Sequence, residues 1–292
     1  CGLAQDDPAE AQRLLGDFWR QMSSQNVFSP FQPTWFDRIW GNHNLENSPV
    51  YNTLDAFSRM VSPYQFNPFD FNPLRDLLGG LIKPEELQAA DRPRVFVSAT
   101  DVLEGRLKVF TGKELGIEAL IASACLPFLF QAVEIGGRHY WDGGYMGNPT
   151  LYPLIHSGES RDIIIVQINP LKREDVPVSP IAIVDRMNEI SFNSTMMREA
   201  RALGLINRLL AEGHLDEKNC GLRPMNLHRI AAEKEMADLT ASSKLNTDWG
   251  LIEDLFNLGR ETTDRWLDDN FKAIGKEATF DIGPFITHDG TA

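Results

Sequence analysis

The hydrophobic pattern at the start of the chain predicts an amphipathic helix. Asp7 and Pro8 form a helix-start signal, because an Asp side chain can cap the first amides and Pro is tolerated in the first turn. The apolar residues that follow recur at steps of four, three and four, at Ala11, Leu15, Phe18 and Met22. Such steps place side chains on one face of a helix, so we expect that face to pack against the rest of the molecule.

Five further segments between residues 94 and 169 show strand or helix patterns. Residues 94–101 and 162–169 are nearly continuous apolar runs, which predicts buried strands. The run of four β-branched residues in 162–169 indicates that both faces of that strand are covered. Residues 106–110 alternate in polarity, as a strand with one exposed face does. A Gly-Gly pair within residues 134–138 predicts a tight hairpin turn, and the small apolar residues of 115–125 predict a helix.

The second half is predicted to be mainly helical. Apolar positions recur at helical steps over residues 181–212 and again from Leu251 to Trp266, which predicts two long helices. Residues 226–230 predict one more strand, and the Gly- and Thr-rich tail after Gly275 predicts a frayed end. Strands that alternate with helices are typical of layered α/β domains, so α/β is the fold class we predict.

Residues 28–73 differ from the rest of the chain because aromatic side chains alternate there with prolines and asparagines. The aromatic residues are Phe31, Trp35, Phe36, Trp40, Phe57, Tyr64, Phe66, Phe69 and Phe71. The prolines prevent a single regular element, since Pro interrupts both helix and sheet. The segment either covers a pocket and supplies its apolar walls or packs its aromatics into the core as an irregular flap, and we favour the flap. Short helices are predicted after it, over residues 72–81 and 84–90.

Charge and composition exclude several classes of function. The formal net charge is −13, so we expect no attraction to nucleic acid or to an anionic membrane, although local apolar surface still permits peripheral membrane contact. No apolar run approaches the roughly 20 residues of a membrane span, and no signal peptide is visible. The three cysteines, Cys1, Cys125 and Cys220, are widely separated, which favours a reducing compartment and a cytoplasmic location.

The sequence predicts neither a metal nor a cofactor. The six histidines show no pair at the spacing of metal ligands, and no Gly-rich loop follows a strand in the pattern of a phosphate site. The nucleophile turn of many hydrolases, Gly-x-Ser-x-Gly, does not occur in these 292 residues. Ser123 lies inside a helix pattern, so packing is its expected role.

The strongest candidate for chemistry is the carboxylate of Asp142. It follows a predicted strand and precedes Gly143 and Gly144, two residues that let other backbone approach closely. A carboxylate held in this way can orient or deprotonate a neighbouring group. The alternative is that Asp142 only accepts hydrogen bonds from turn amides, as Asp often does. His139 precedes it on the predicted hairpin, where a surface position is expected.

Three blocks of the sequence resemble the patatin-like phospholipases. Residues 98–110 resemble the central strand pair of that family, and residues 122–133 resemble the helix and Pro turn that follow it. The tetrapeptide Trp-Asp-Gly-Gly at 141–144 resembles the family's Asp-Gly-Gly motif and is followed by Asn148-Pro149. The blocks occur in the family's order and spacing, and the resemblance covers roughly residues 1–169. From residue 181 onward the chain resembles the helical C-terminal extension of a bacterial subgroup.

The resemblance implies a three-layer α/β/α fold and a Ser-Asp dyad that hydrolyses carboxylic esters of lipids. In that family a Gly-rich loop supplies oxyanion amides, and the serine of Gly-x-Ser-x-Gly is the nucleophile. Only the Asp of the family's Asp-Gly-Gly motif can be carried over to this chain, at Asp142, with Gly143 and Gly144 as motif support. Asp142 would take the serine proton directly and return it to the leaving group.

The resemblance also implies that the catalytic domain is incomplete at its N-terminus. In the family, the oxyanion loop and the nucleophile precede the helix with which this chain begins, and residues 1–4 resemble the segment just after the nucleophile helix. We therefore predict that residues 1–175 are the C-terminal part of the catalytic domain and that residues 176–292 are a helical extension packed on it. A missing N-terminal segment or a partner chain would carry the nucleophile, and this chain alone would be inactive. A lipidated Cys1 of a processed bacterial lipoprotein is the alternative explanation of the first residue.

Two other functions fit the residues. A non-catalytic acyl-binding or assembly module would keep the apolar surface and the helical extension without chemistry. An esterase could instead use a serine from within the chain, for which Ser123 is the candidate. The sequence leaves open the acyl length, the head group and whether the long helices form a homo-oligomer or cover the sheet.

Overall fold

The computed structural model describes residues 7–25, 32–88, 93–157 and 160–283. The chain divides into two compact units. The first combines Cys1–Met146 with Leu239–Asp254, and the second combines Gly147–Asp238 with Leu255–Ala292. The predicted boundary between residues 175 and 176 refers to the family's catalytic domain and stays a prediction.

Six helices come first among the described residues of the first unit. They are α1 (Pro8–Gln25), α2 (Trp35–Ile39), α3 (Pro49–Met60), α4 (Pro63–Phe66), α5 (Pro73–Leu81) and α6 (Pro84–Gln88). All except α2 begin at a proline, whose missing amide hydrogen costs nothing in the first turn. At α1 the carboxylate of Asp7 accepts hydrogen bonds from the amides of Ala9 and Glu10 at 3.0 and 3.1 Å, which confirms the predicted helix start.

A four-stranded antiparallel sheet forms the centre of the first unit. Its strands are β1 (Phe96–Asp101), β2 (Arg106–Thr111), β3 (Val133–Ile135) and β4 (Arg138–Asp142), in the order β2-β1-β4-β3. The predicted hairpin is confirmed, because Gly136 and Gly137 join β3 to β4 with φ of 61° and 78°, a backbone conformation that glycine adopts without strain.

Helix α7 (Ile117–Ser123) packs on β1, β3 and β4. Its small side chains let it lie close to the strands, as its apolar pattern predicts. The core around it consists of Leu78, Ala99, Phe110, Leu115, Ala119, Ile121, Ala122, Cys125, Val133 and Tyr140.

The second unit contains a two-stranded parallel sheet and the remaining helices. The elements are α8 (Tyr152–Ser157), β5 (Asp162–Gln167), α9 (Pro180–Ala211), α10 (Glu217–Cys220), β6 (Asn226–Ala231), α11 (Glu233–Met236) and α12 (Trp249–Asn270). The first turns of α12, residues 249–254, belong to the first unit. Strand β5 pairs with β6 in parallel register from Asp162↔Asn226 to Gln167↔Ala231. These elements confirm the predicted α/β class and the predicted helical C-terminal region.

The prediction that both faces of β5 are covered is wrong. Ile163 and Ile165 are 6% and 5% exposed, whereas Ile164 and Val166 are 44% and 71% exposed. The first pair packs with Met196, Ala200 and Leu203 of α9, among other core residues. Within the described residues no second layer covers the opposite face, so a continuous apolar run forms a strand with one exposed side.

The prediction of a frayed tail after Gly275 is also wrong for the residues that the structure describes. The amides of Thr279 and Phe280 donate to the carbonyl of Leu227 at 3.1 and 2.9 Å. The Phe280 side chain is 8% exposed and belongs to the core of the second unit. Core packing therefore fixes this segment despite its composition. Residues 284–292 lie outside the described residues.

The aromatic segment does not pack its rings into the core, so the favoured flap interpretation is wrong. Trp40, Phe69 and Phe71 are 82%, 94% and 65% exposed, while Phe31 lies outside the described residues. Polar contacts organise the segment instead. The buried carboxylate of Asp37 accepts hydrogen bonds from the side chains of Thr34 at 2.5 Å, Asn42 at 2.9 Å and Asn47 at 2.8 Å. The prediction that the prolines prevent a single regular element is confirmed.

The helices of the described ranges include none with the length and hydropathy of a membrane span.

Candidate active site

Asp142 is the last residue of β4, and its backbone is fixed on both sides. It lies opposite Ala99 of β1 in the antiparallel register. Its amide donates to the carbonyl of Cys125 at 2.9 Å, and its carbonyl accepts the hydroxyl of Thr100 at 2.8 Å. The predicted position at a strand end is confirmed, and the neighbouring elements leave the main chain at Asp142 little freedom to move.

The carboxylate of Asp142 is half-buried and has one strong hydrogen bond. Its Oδ1 accepts the amide of Gly144 at 2.7 Å. Among the described residues no donor reaches its second oxygen. Burial raises the pKa of Asp142, and this effect outweighs the Gly144 amide and the positive charge of Lys244, which both favour ionisation. The group therefore binds a proton more tightly than an ordinary aspartate and has one oxygen open to a donor.

Gly143 is required by close packing. A Cβ at this position would lie 2.2 Å from the carbonyl oxygen of Ser98 and 2.5 Å from its hydroxyl. No side chain can occupy that space without moving the backbone of β1. The sequence prediction that the glycines admit other backbone is thus confirmed at Gly143.

Ser98 and Thr100 are two residues at this turn that the sequence analysis missed. They alternate along β1, so their side chains point to the same face of the sheet. The Thr100 hydroxyl supports the Asp142 carbonyl, and the Ser98 side chain lies against Gly143. The available signal was two hydroxyl residues, two apart, in an otherwise apolar strand.

Two further side chains come within electrostatic range of Asp142. Burial, with smaller contributions from Asp70 and Asp142, raises the pKa of the Cys125 thiol to about 11. That thiol is 1% exposed and donates to the carbonyl of Gln131 at 3.1 Å, so it stays protonated and is not a nucleophile at neutral pH. Burial also raises the pKa of Tyr145, and the negative charge of Asp142 adds to this shift.

Lys244 interacts electrostatically with Asp142 from a distant part of the sequence. Its short 3-10 helix, Ala241–Leu245, is held by the loop over residues 42–48. The Leu45 amide donates to Ser242 Oγ at 2.9 Å, and the Thr240 amide donates to Asn44 Oδ1 at 2.9 Å. About 100 residues separate Lys244 from Asp142, and no local pattern connects them, so the sequence carries no signal for this electrostatic interaction.

The other candidate residues do not join Asp142. The hydroxyl of Ser123, at the end of α7, donates to the carbonyl of Leu120 at 2.7 Å, which is a contact within its own helix. His139 lies on β4 opposite Glu134, and strand alternation directs its side chain to the other face from that of Asp142. Among the residues that the structure describes, no group of three His, Cys, Asp or Glu side chains could hold a metal ion.

The comparison with known families decides the identity of the domain. The sequence profile described as patatin-like phospholipase matches residues 1–155, which is more than half of the 292 residues. The chain belongs to the patatin-like phospholipase family. The predicted family is therefore confirmed, and the Asp142 turn lies within the matched residues.

Family membership indicates the general activity but not its details. Patatin-like proteins are generally hydrolytic, as esterases or phospholipases, so the domain indicates lipid acyl hydrolysis in general. No curated protein matches the chain.

Proposed function

We propose that this patatin-like chain supplies the proton acceptor of a lipid acyl hydrolase, and that Asp142 is the base of a Ser-Asp dyad. One observation carries the proposal. The Asp142 carboxylate is held through one oxygen by Gly144, while its other oxygen has no donor among the described residues and burial raises its pKa. A raised pKa suits a general base, because the group then accepts a proton more readily.

The nucleophile would be a serine outside these 292 residues, on a preceding segment or on a partner chain. Its oxygen attacks the carbonyl carbon of the ester, and Asp142 accepts its proton. The C–O bond of the tetrahedral intermediate then breaks, and the proton passes to the leaving alkoxide. Water hydrolyses the acyl-enzyme in a second step, with Asp142 again accepting a proton and returning it to the serine.

The substrate would be an ester of a fatty or hydroxy acid that binds near the aromatic segment. Contacts between this segment and the turn after α7 support that location. The Ala132 amide donates to the hydroxyl oxygen of Tyr64 at 3.2 Å, and Gln131 Nε2 donates to the carbonyl of Asn67 at 2.7 Å. Gln131 in turn accepts the thiol of Cys125, whose carbonyl binds the Asp142 amide.

The test is hydrolysis of nitrophenyl acyl esters by the product of the complete natural gene. We expect Asp142→Asn to lower kcat/KM on the order of 10²–10⁴-fold, which is the usual contribution of a positioned base. Asp175→Asn makes the same chemical change at an exposed position and is the matched control. Undiminished turnover in Asp142→Asn would eliminate the proposed base.

The second candidate is a non-catalytic acyl-binding or assembly module, which is favoured if the natural protein, like these 292 residues, contains no Gly-x-Ser-x-Gly. The intact mass of the natural protein, together with labelling by a fluorophosphonate probe, distinguishes the two. A longer product that is labelled on a serine between glycines supports the hydrolase. Labelling of this chain alone would instead support the esterase based on Ser123, and we expect none.

A further inference from the structure

The loop after α4 holds two phenylalanines away from the core. Asn67 closes this loop, because its Nδ2 donates to the Phe71 carbonyl and its Oδ1 accepts the Phe71 amide, each at 2.9 Å. The Asp70 amide donates to the Asn67 carbonyl at 3.1 Å, and Asp70 has a φ of 50°, which is uncommon outside glycine. Hydrogen bonds, rather than burial of its phenyl rings, therefore set the shape of the loop.

The two rings are part of a larger exposed apolar surface. Phe69 and Phe71 are 94% and 65% exposed, and Met60 is 86% exposed. The rings of Phe57 and Phe66 lie 6.0 Å apart and join α3 to α4. We call this surface the aromatic tip, formed by Phe57, Met60, Tyr64, Phe66, Phe69 and Phe71. Exposed apolar side chains grouped in this way mark a site of interaction.

The charges of the aromatic tip indicate the chemistry of its partner. Residues 57–71 contain one basic and one acidic residue, Arg59 and Asp70, within a chain of net charge −13. The Asp70 carboxylate lies 3.4 Å from the Arg75 guanidinium, which also pairs with Glu118 at 3.0 Å. A segment whose formal charges cancel suits a zwitterionic lipid layer, whereas the negative charge of the whole chain opposes an anionic one.

The aromatic tip is connected to the candidate active site by direct contacts. The Asn67 carbonyl accepts Gln131, and the Gln131 carbonyl accepts the Cys125 thiol. The carbonyl of Cys125 accepts the Asp142 amide. The loop and the backbone amide of Asp142 are therefore linked through three successive hydrogen bonds within the first unit.

We propose that the aromatic tip inserts into the interface of a zwitterionic phospholipid layer and thereby brings the Asp142 turn to the ester groups. Aromatic side chains are enriched at the level of lipid head groups, and an apolar surface of this kind enters the boundary between head groups and acyl chains. The role of the insertion rests on the proposed function, because only a lipid hydrolase needs its base at that depth. The insertion itself does not depend on catalysis.

The experiment is flotation of the full chain with phosphatidylcholine vesicles. Phe69→Ser and Phe71→Ser change exposed side chains, so we expect both variants to fold, and each should weaken the partition coefficient on the order of tenfold. Asn67→Ala keeps both rings but removes the bonds that close the loop, so it should cause a smaller loss. The matched control is Val176→Ser with Val178→Ser, since these residues of the second unit are 83% and 88% exposed.

Three results would overturn the proposal. The first is no binding of the unchanged chain to phosphatidylcholine vesicles. The second is equal binding by the Phe69→Ser variant and the Val176 control, and the third is binding only to anionic vesicles. Self-association that Phe69→Ser abolishes, without vesicle binding, would assign the surface to a second copy of the chain instead.

The same variants separate this inference from the proposed function. Vesicle binding requires no turnover, so Asp142→Asn should float with vesicles as the unchanged chain does. If Asp142→Asn retains full turnover, the proposed role of Asp142 as a base is contradicted, but the lipid-binding role of the aromatic tip is not. If Asp142→Asn loses turnover but Phe69→Ser binds vesicles normally, the lipid-binding role of the aromatic tip is contradicted, but the role of Asp142 as a base is not.

Discussion

Two aspartates at strand ends, one in each unit, have opposite surroundings. Asp142 ends β4 in the first unit, and its carboxylate accepts one backbone amide, that of Gly144. Asp162 begins β5 in the second unit, and its Oδ1 lies 3.0 Å from His228 Nε2 while accepting Asn226 Nδ2 at 3.1 Å and the Gly275 amide at 2.9 Å. The residue type and the type of position are the same, but the number of donors differs.

The donors and the degree of burial together decide the direction of each pKa. Burial opposes the ionisation of Asp162, but the bonds from His228, Gly275 and Asn226 outweigh it, so the pKa of Asp162 lies below its usual value. At Asp142 burial prevails and the pKa is raised. Burial alone therefore does not mark a reactive carboxylate, and the informative feature is a half-buried carboxylate with too few donors.

The surroundings of Asp162 are typical of a structural contact. Its partner His228 is fully buried, with Nδ1 at 2.9 Å from the Thr279 hydroxyl and its ring edge-on to Trp266 at 5.9 Å. These contacts tie β5 and β6 to the segment over residues 275–280. Asp162 holds the second unit together, whereas Asp142 keeps an oxygen available.

The largest expected effect is on catalysis and separates the two aspartates directly. Asp142→Asn in the natural protein should lower kcat on the order of 10²–10⁴-fold, because the proton acceptor is lost. Asp162→Asn should leave kcat per folded molecule within a few-fold of the original, since Asp162 has a structural role. The measurement is kcat on nitrophenyl esters, corrected for the folded fraction determined by circular dichroism. Equal losses of kcat in the two variants would show that the two aspartates do not differ in role.

Gly143→Ala should give the next largest effect, on stability. The added methyl would meet the Ser98 carbonyl at 2.2 Å, so β1 or β4 must shift, and we expect a loss of about 3 kcal/mol in the free energy of unfolding. Gly116→Ala is the control, because no atom lies within 4 Å of its added Cβ. Urea denaturation of both variants measures the difference, and equal values would show that the turn is not tightly packed.

Asp162→Asn should lower the free energy of unfolding by about 2 kcal/mol at pH 7, because a charged acceptor of three hydrogen bonds is replaced by a neutral one. A lowered pKa means that ionised Asp162 stabilises the folded state above its unfolded pKa of about 3.9. This contribution is lost as the pH falls through the lower, folded value. The difference in the free energy of unfolding between the variant and the unchanged chain should therefore become smaller in acid. Denaturation at a series of pH values measures it. A difference independent of pH would contradict this prediction.

Asp142→Asn should have the smallest effect on the free energy of unfolding. Unlike the two preceding substitutions, it should stabilise the protein. A raised pKa means that ionised Asp142 opposes folding, and this penalty is complete above the folded pKa and absent below about 3.9. The variant should therefore be slightly more stable than the unchanged chain at pH 7 and equal to it in acid. Thermal unfolding at the two pH values tests this, and a lower stability at pH 7 would show that the charge is well solvated or paired.

Local patterns predicted the elements of this molecule well, and packing explains where they failed. The helix start at Asp7, the Gly136-Gly137 hairpin and the long helix α9 follow from capping, turn and periodicity rules that involve neighbouring residues only. The exposed face of β5 could not be predicted, because coverage of a strand depends on which distant elements pack over it. The segment around Phe280 was misassigned for the same reason.

The candidate site was predictable in part. The Asp-Gly-Gly pattern located Asp142 at the turn and indicated that Gly143 admits close approach, whereas the group that approaches it, Ser98, is set by the pairing of β1 with β4. The support from Thr100 and the charge of Lys244 depend on strand pairing and on a loop contact made by residues 42–48. Neither the Thr100 hydrogen bond nor the Lys244 charge leaves a periodic signal in the sequence, and the Lys244 charge contributes to the pKa of Asp142.

The most direct test is an NMR titration of the side-chain carboxyl carbons in the ¹³C-aspartate-labelled chain, with Asp142→Asn and Asp162→Asn used to assign the two signals. We predict that Asp142 titrates above the ordinary aspartate value of about 3.9 and that Asp162 titrates below it. An Asp142 midpoint at or below that of Asp162 would contradict the account, because the carboxylate would then not bind a proton more tightly than a structural aspartate.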